Sequence, residues 1–232
     1  MKRKTFTMIA LGVVLCAWWQ AQAQDAKPPY PRMAPLDQYL MERAAEVALA
    51  RSAAPESISR DAEVMVLGRH GYETAVEGKN GFVCIVERSW MAGTDDPQFW
   101  NPKVRGPVCY NAPAARFSLP VDIKKTASVF AGRSNTEMAE DIKTAFDKKE
   151  FPELEPGAMC YMMSKQGYLN DAGGHWHPHL MFLVPGKDAA AWGANLDGSP
   201  ILANEDTLDR YTLFLVPIDK WSDGTAAHGD GN

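Results

Sequence analysis

The order of helical and strand patterns along the chain constrains its fold more than any other feature. A helical pattern comes first, at 36–53, where apolar residues recur every three or four positions. Three short β-type runs, two helical patterns and three more β-type runs follow, at 63–67, 72–76, 82–87, 121–131, 136–149, 158–164, 179–184 and 211–216. Strand and helix do not alternate regularly. The order therefore predicts a single α+β domain, in which a mostly antiparallel sheet carries an N-terminal helix and a central helical pair.

Local signals refine this prediction at three places. Asn80 and Gly81 lie between two β-type runs, and this pair favours a tight turn, so a β-hairpin is predicted over residues 72–87. Ser134 is followed three positions later by Glu137, a capping box that predicts the start of the second central helix. Residues 90–120 show no clear period and are predicted to form a long loop.

The N-terminus has the pattern of an export signal. Three basic residues at 2–4 precede an apolar run over 8–19, and Ala21 and Ala23 form an A-x-A cleavage motif. The run is shorter than the roughly 20 residues that span a bilayer. The sequence therefore predicts a signal peptide at 1–23 cleaved after Ala23, a Pro-rich leader at 24–35 and a single domain at 36–232. The destination is a periplasm or the extracellular space.

The charge balance limits the partners of the mature chain. Loss of Lys2, Arg3 and Lys4 with the signal lowers the net charge from −5 to −8. An acidic chain without a basic, aromatic-rich cluster is unsuited to phosphate backbones, so no nucleic acid partner is expected. The mature sequence has no second long apolar run, so a soluble protein without membrane contact is expected. The oligomeric state stays open.

Three cysteines remain after the signal is removed: Cys84, Cys109 and Cys160. Export exposes them to an oxidising compartment, where disulfides persist. A bridge between Cys84 and Cys109 is the favoured prediction, because it would tie down the long irregular segment and leave Cys160 reduced in the core. Closing such a loop contributes about 3 kcal/mol in the chain-entropy description. The alternative is that all three thiols are buried apolar groups.

A histidine cluster is the strongest candidate for a metal site. His175, His177 and His179 share one side of an extended segment, and three imidazoles suit Zn²⁺ or Cu²⁺ with one open position. Copper would be favoured by sulfur ligands on a neighbouring strand, namely Met159, Met162, Met163 and Cys160. The competing interpretation is that the histidines pack individually, because one short strand rarely wraps a tetrahedral metal and no nearby carboxylate completes the set.

A second motif suggests a different chemistry. The segment over 66–71, with Arg69, His70 and Gly71 after an apolar strand, resembles the histidine phosphatase superfamily. The resemblance implies that His70 is phosphorylated and that Arg69 holds the phosphate. The competing interpretation places His70 and Gly71 in a turn between two strands, because the following residues have a strand pattern where that superfamily has a helix.

Three segments resemble a group of uncharacterised exported bacterial proteins: YETAVEGKNGF at 72–82, GHWHPHLMF at 174–182 and WSDG at 221–224. That group brings no known catalytic residue or substrate, and its pattern points to His175 and His179 rather than His177. The leading prediction is therefore an exported globular protein with a binding or structural role. The alternatives are a metal-dependent enzyme and a zinc- or copper-binding protein, both built on the histidine cluster.

Overall fold

A computed structural model of the chain describes residues 29–171 and 177–227. These residues form eight strands: β1 Glu63–Gly68, β2 Gly71–Val76, β3 Val83–Glu87, β4 Gly106–Tyr110, β5 Met159–Met162, β6 His179–Pro185, β7 Leu202–Asp206 and β8 Tyr211–Pro217. The helices are α1 Arg43–Arg51, α2 Glu56–Ser59, α3 Ala112–Phe130 and α4 Asn135–Asp147, with 3-10 turns at Leu36–Gln38 and Ser89–Met91. The signal peptide and part of the predicted leader lie outside the described residues.

All eight strands belong to one mixed sheet in the order β2-β1-β3-β4-β5-β6-β8-β7. The β1–β3 pair is parallel, and the other six neighbouring pairs are antiparallel. The α+β class is thus confirmed, and the parallel pair is a feature that the sequence pattern did not reveal.

The predicted hairpin over residues 72–87 is wrong. Strand β2 pairs with β1 through a two-residue turn at Arg69 and His70, whereas β3 lies on the other side of β1. Residues between β2 and β3 instead cross the start of β1, where Lys79 N donates to Asp61 O over 2.9 Å. Gly78 makes this crossing possible, because a Cβ there would lie 2.1 Å from Glu63 N.

The sheet is covered on both faces near its centre. Helix α1 packs its buried residues, among them Leu49 and Ala50, against Cys84 and Val86 on one face. Ile85, between those two residues on β3, points to the opposite face, where it packs against α3. This alternation follows from the two-residue period of a strand. For the same reason, the side chains of Glu87 and Arg88, at the end of β3, point to opposite faces of the sheet.

Helix α3 begins nine residues before its predicted start and has 19 residues. The side chain of Asn111 caps it by accepting from Ala114 N over 3.0 Å, and Pro113 occupies the first turn. Pro120 lies inside the helix. Helix α4 has the predicted capping box of Ser134 and Glu137.

The remaining peripheral segments pack onto this framework. Trp192, in the connection between β6 and β7, stacks on Phe214 with ring centroids 4.2 Å apart. In the predicted leader, Tyr30 and Met33 contact a hydrophobic cluster that includes Trp100. Among the described helices, none combines the length and apolar character that crossing a membrane requires.

Candidate functional site: the cavity beside Glu87

A cavity of about 400 Å³ opens where β3 ends, between the 3-10 turn Ser89–Met91, the start of β4 and residues 169–170. This volume falls within the range of small-molecule sites. Its wall includes Glu87, Arg88, Ser89, Asp96, Gln98 and Leu169. The wall thus combines the carboxyl groups of Glu87 and Asp96 with a larger apolar part that includes Ala92, Val104 and Leu169.

Gly106 lies directly beside the Glu87 side chain. The two residues are partners in the β3–β4 ladder. A Cβ at Gly106 would lie 3.4 Å from Glu87 Cβ and 3.5 Å from Glu87 Oε2, which is ordinary van der Waals contact. The β3–β4 register therefore sets the position of Glu87 at the cavity wall.

Behind Glu87, a phenol bridges two carboxyl groups. Tyr110 Oη lies 2.5 Å from Glu87 Oε1 and 3.1 Å from Asp122 Oδ2. Burial raises the pKa of Glu87, and the hydrogen bond from Tyr110 opposes this effect. Burial and then the negative charge of Glu87 raise the pKa of Asp122 well above its ordinary value. Both carboxyl groups therefore favour the protonated form more than an exposed carboxyl would.

An ion pair lies next to this bridge. Lys125 is one helical turn beyond Asp122 on α3, and its Nζ lies 2.7 Å from Asp209 Oδ2. Lys125 and Asp209 are 3% and 6% exposed. Burial disfavours the Lys125 ammonium, but the Asp209 and Asp122 carboxylates outweigh this effect and raise its pKa. Lys125 thus neighbours four carboxyl groups, those of Glu87, Asp122, Asp206 and Asp209.

Ser89 places a hydroxyl group in the cavity wall. The residue is 2% exposed, and its Oγ has no hydrogen-bond partner within residues 29–171 and 177–227. Buried hydroxyl groups in proteins are nearly always hydrogen-bonded, because desolvating one without a partner costs free energy. The Ser89 hydroxyl therefore lacks a partner among these residues, but its oxygen is closed off from solvent, so a molecule in the cavity reaches it only after the side chain rotates.

Arg88 also reaches the cavity wall, but its guanidinium group is engaged elsewhere. Its Nη2 lies 2.8 Å from Glu46 Oε1, its Nε donates to Tyr39 O over 2.8 Å, and its Nη1 donates to Val86 O. Arg88 and Glu46 are each 1% exposed. The arginine is thus a structural cation on the α1 side and does not make the cavity an anion site.

The predicted histidine site is only partly covered by the structure. His175 lies outside the described residues. His177 is exposed, and His179 is partly buried at the start of β6 with its Nδ1 2.8 Å from His177 O. Burial lowers the pKa of His179. Residues 29–171 and 177–227 contain no group of three or more His, Cys, Asp or Glu residues arranged to hold a metal. The zinc or copper site stays a prediction.

The sulfur-bearing residues divide into two groups. Cys84 and Cys109 are directly opposite on β3 and β4, and their sulfur atoms lie at bonding distance, as predicted. Cys160 is a buried free cysteine on β5. Met162 is the ladder partner of His179, so β5 and β6 do bring one methionine beside one histidine of the cluster.

The phosphatase-like motif lies at the β1–β2 turn. Arg69 and His70 are exposed there, and Arg69 Nη2 lies 2.7 Å from Asp37 Oδ1. This placement is the one that the competing interpretation of the motif predicted.

The sequence interpretation missed the cavity residues. A charged pair, Glu87 and Arg88, ends an otherwise apolar strand, and Asp122 and Lys125 have the i, i+3 spacing of one helix face. Neither pattern is distinctive. No family model matches this chain, and no similar curated protein or solved structure was found. The site is therefore argued from its geometry.

Proposed function

We propose that this chain is an exported protein that binds a small polar organic molecule in the cavity beside Glu87. The observation that carries the proposal is the cavity itself, whose wall contains the partly buried Glu87 carboxyl group and Ser89, whose Oγ has no partner among the described residues. Rotation of the Ser89 side chain would let a bound hydroxyl, amine or amide group pair with its Oγ. Glu87, on the same wall, supplies a second polar contact with a different chemistry.

The charges of the cavity narrow the ligand class. Glu87 and Asp96 are acidic, whereas the cation in the wall, Arg88, is paired with buried Glu46. A negatively charged ligand would meet like charge without a free partner. The ligand is thus neutral or cationic, with hydroxyl or amine groups for the polar residues and an apolar portion for Ala92, Val104 and Leu169.

The binding experiment uses four probe classes: monosaccharides, polyols, primary amines and dicarboxylates. Thermal shift detects binding, and calorimetry then gives the affinity of each probe that stabilises the protein. We expect a neutral or cationic class to bind wild type and Ser118→Ala, a buried serine of α3 outside the cavity. The same probe should bind Ser89→Ala at least about tenfold more weakly, since a lost hydrogen bond of about 1.4 kcal/mol corresponds to that factor.

Two results would contradict this function. The first is a bound probe whose affinity is equal in wild type, Ser89→Ala and Glu87→Gln, because it must occupy another site. The second is preferential binding of dicarboxylates, which the acidic wall should repel. If none of the four classes binds, the binding function is not supported, and the structural role predicted from the sequence is the remaining explanation.

Export is the second part of the proposal, and it is supported by the basic, apolar and A-x-A segments at 2–23. Expression of the full chain in a bacterial host should yield a protein outside the cytoplasm whose first residue is Gln24. Intact mass and N-terminal sequencing measure this directly. Retention of the uncleaved chain in the cytoplasm would contradict export while leaving ligand binding unaffected.

A further inference from the structure

We infer that Glu87, Tyr110 and Asp122 share one proton, and that this group presents an acid to a weakly basic ligand in the cavity. The observation is the position of Tyr110 Oη, which is within hydrogen-bond distance of a carboxyl oxygen from each acidic residue. The three residues share the proton whether or not a ligand is bound. The transfer of that proton to a ligand rests on the function proposed above.

The argument is a count of hydrogen atoms. A phenol has one O–H, so Tyr110 can donate to only one of its two carboxyl neighbours. At the other contact the phenol oxygen must accept, and the donor can only be a protonated carboxyl group. Two ionised carboxylates would leave one contact as two oxygen atoms with no hydrogen between them. A complete network therefore contains one carboxylic acid and one carboxylate.

Two arrangements satisfy this count. In one, the Asp122 acid donates to Tyr110, and Tyr110 donates to the Glu87 carboxylate. In the other, the Glu87 acid donates to Tyr110, and Tyr110 donates to the Asp122 carboxylate. The phenol hydrogen and the acid hydrogen move together between them, so the total charge is unchanged. The proton thus reaches the cavity wall without crossing solvent.

The surroundings of the pair favour retention of this proton. Tyr72, Cys160 and Tyr211 face it from β2, β5 and β8, and burial raises the pKa of each, with further contributions from Glu87 and Asp122. These three groups therefore remain neutral. The charged groups that act on Glu87 and Asp122 are Lys125 and Asp209. Arg88 acts on Tyr72, and Asp206 acts on Lys125.

The neighbouring charges are largely compensated. Lys125 is bonded to Asp209, and Arg88 is bonded to Glu46. Lys125 also lowers the pKa of Glu87 and of Asp122, but burial outweighs this effect at both carboxyl groups. One proton shared by Glu87 and Asp122 lowers the buried negative charge by one. This agrees with the raised pKa of both acids.

Delivery to a ligand is a simple transfer. The O–H group of the Glu87 acid turns from Tyr110 to the ligand, its O–H bond breaks, and an N–H bond forms on an amine nitrogen. Tyr110 continues to donate to the Asp122 carboxylate, and the new ammonium group replaces Tyr110 as the hydrogen-bond partner of the Glu87 carboxylate. Glu87 is then the group that touches the ligand, and Tyr110 and Asp122 are positioning residues. The ligand class is thereby narrowed to weak bases that bind in the neutral form.

The test measures the acid in the free full-length mature protein. Infrared spectra from about pH 5 to about pH 9 detect the C=O stretch of protonated carboxyl groups, which exposed Asp and Glu lose below this range. We expect the band to persist at neutral pH in wild type and in Asp141→Asn, a control that removes a carboxylate paired with Arg133. Glu87→Gln and Asp122→Asn should each abolish it, because an amide can donate to Tyr110 in place of the acid.

The variant Tyr110→Phe tests whether the two acids share a proton through the phenol or are protonated only because they are buried. It keeps the aromatic ring in the core but removes the hydroxyl group that links the two carboxyl groups. The pH at which the band disappears should move by at least about one unit, a factor of ten in the proton affinity. Near-ultraviolet circular dichroism verifies that each variant is folded. Absence of the band at neutral pH in wild type, or its persistence in both Glu87→Gln and Asp122→Asn, would overturn the shared proton.

The two proposals fail separately. A protein that shows the band and binds no probe retains the shared proton and loses the ligand-binding function. A protein that binds a probe through Ser89 without the band retains the function and loses the shared proton.

Discussion

Glu87 and Arg88 are adjacent in the chain, but their side chains lie in opposite surroundings. Arg88 points to the α1 side, where Glu46 and two carbonyl groups receive its donors and no solvent reaches it. Glu87 points to the α3 side, where it shares Tyr110 with Asp122 and borders a cavity. The guanidinium group has a partner for each nitrogen, whereas the carboxyl group lies among more acceptors than donors.

This difference separates structural from functional charge. The Arg88–Glu46 ion pair, in which each guanidinium nitrogen is bonded to protein, holds two elements in register, although Glu46 Oε2 has no partner among the described residues. A carboxyl group with an incomplete set of donors can exchange a proton, and the cavity gives it access to one. The following predictions test the contrast, from the largest expected effect to the smallest.

Removal of one partner of the Arg88–Glu46 ion pair on the α1 side should have the greatest effect on stability. Arg88→Met leaves the Glu46 carboxylate buried and unpaired, so the free energy of unfolding should fall by about 3 to 5 kcal/mol. Urea denaturation at neutral pH measures it. The double variant Glu46→Met with Arg88→Met should recover most of the loss, because neither charge is then left alone. Equal losses in the single and double variants would show that the ion pair is not the cause.

Removal of the disulfide on the same face of the sheet should have the next largest effect on stability. Cys84 and Cys109 close a loop with a sequence separation of 25, so their replacement by serine should cost about 3 kcal/mol in the chain-entropy description. Reducing agent should have the same effect on wild type and on Cys160→Ser, which retains the bridge. Insensitivity of wild type to reduction would contradict the pairing.

The α3 side should control how stability depends on pH. Because the pKa of the Asp122 and Glu87 acids is raised, the folded state retains a proton that the unfolded state releases above about pH 4. Stability from this group is therefore lost as the pH rises, by up to about 1.4 kcal/mol per pH unit for one proton. Asp122→Asn should flatten this decline.

Denaturant midpoints across the pH range measure that slope. Arg133 holds the pKa of Asp141 below its ordinary value, so Asp141→Asn is a control that should leave the decline intact. An unchanged slope in Asp122→Asn would show that the pair does not retain a proton.

The smallest effect has the opposite sign. Ser89→Ala removes a buried hydroxyl group without a partner among the described residues, so the free energy of unfolding should rise by up to about 1 kcal/mol while ligand affinity falls. Thermal unfolding of Ser89→Ala and Ser118→Ala, with and without the bound probe, separates the two effects. A stability loss in Ser89→Ala would mean that the hydroxyl has a structural role.

Features of the fold that depend on neighbours in the chain were predictable. The capping box at Ser134 and Glu137 needs only a hydroxyl and a carboxylate three residues apart. The start of α3 was missed because residues 90–120 show no clear period, although tertiary packing offsets the local cost of Pro120 inside the helix. The hairpin was wrong because Gly78, which permits the crossing over β1, has no distinctive local pattern.

The sequence by itself determined the α+β class and the α4 cap, and it favoured the disulfide partners that the structure has. Each of these depends on short-range periodicity or on a small set of residues. Only the tertiary structure decided which groups meet at the site. Tyr110 is 23 residues from Glu87 and 12 from Asp122, and the register of β4 against β3 and the packing of α3 bring them together. Register and packing arise from the whole core, so no local pattern records that these three side chains share one hydrogen-bond network.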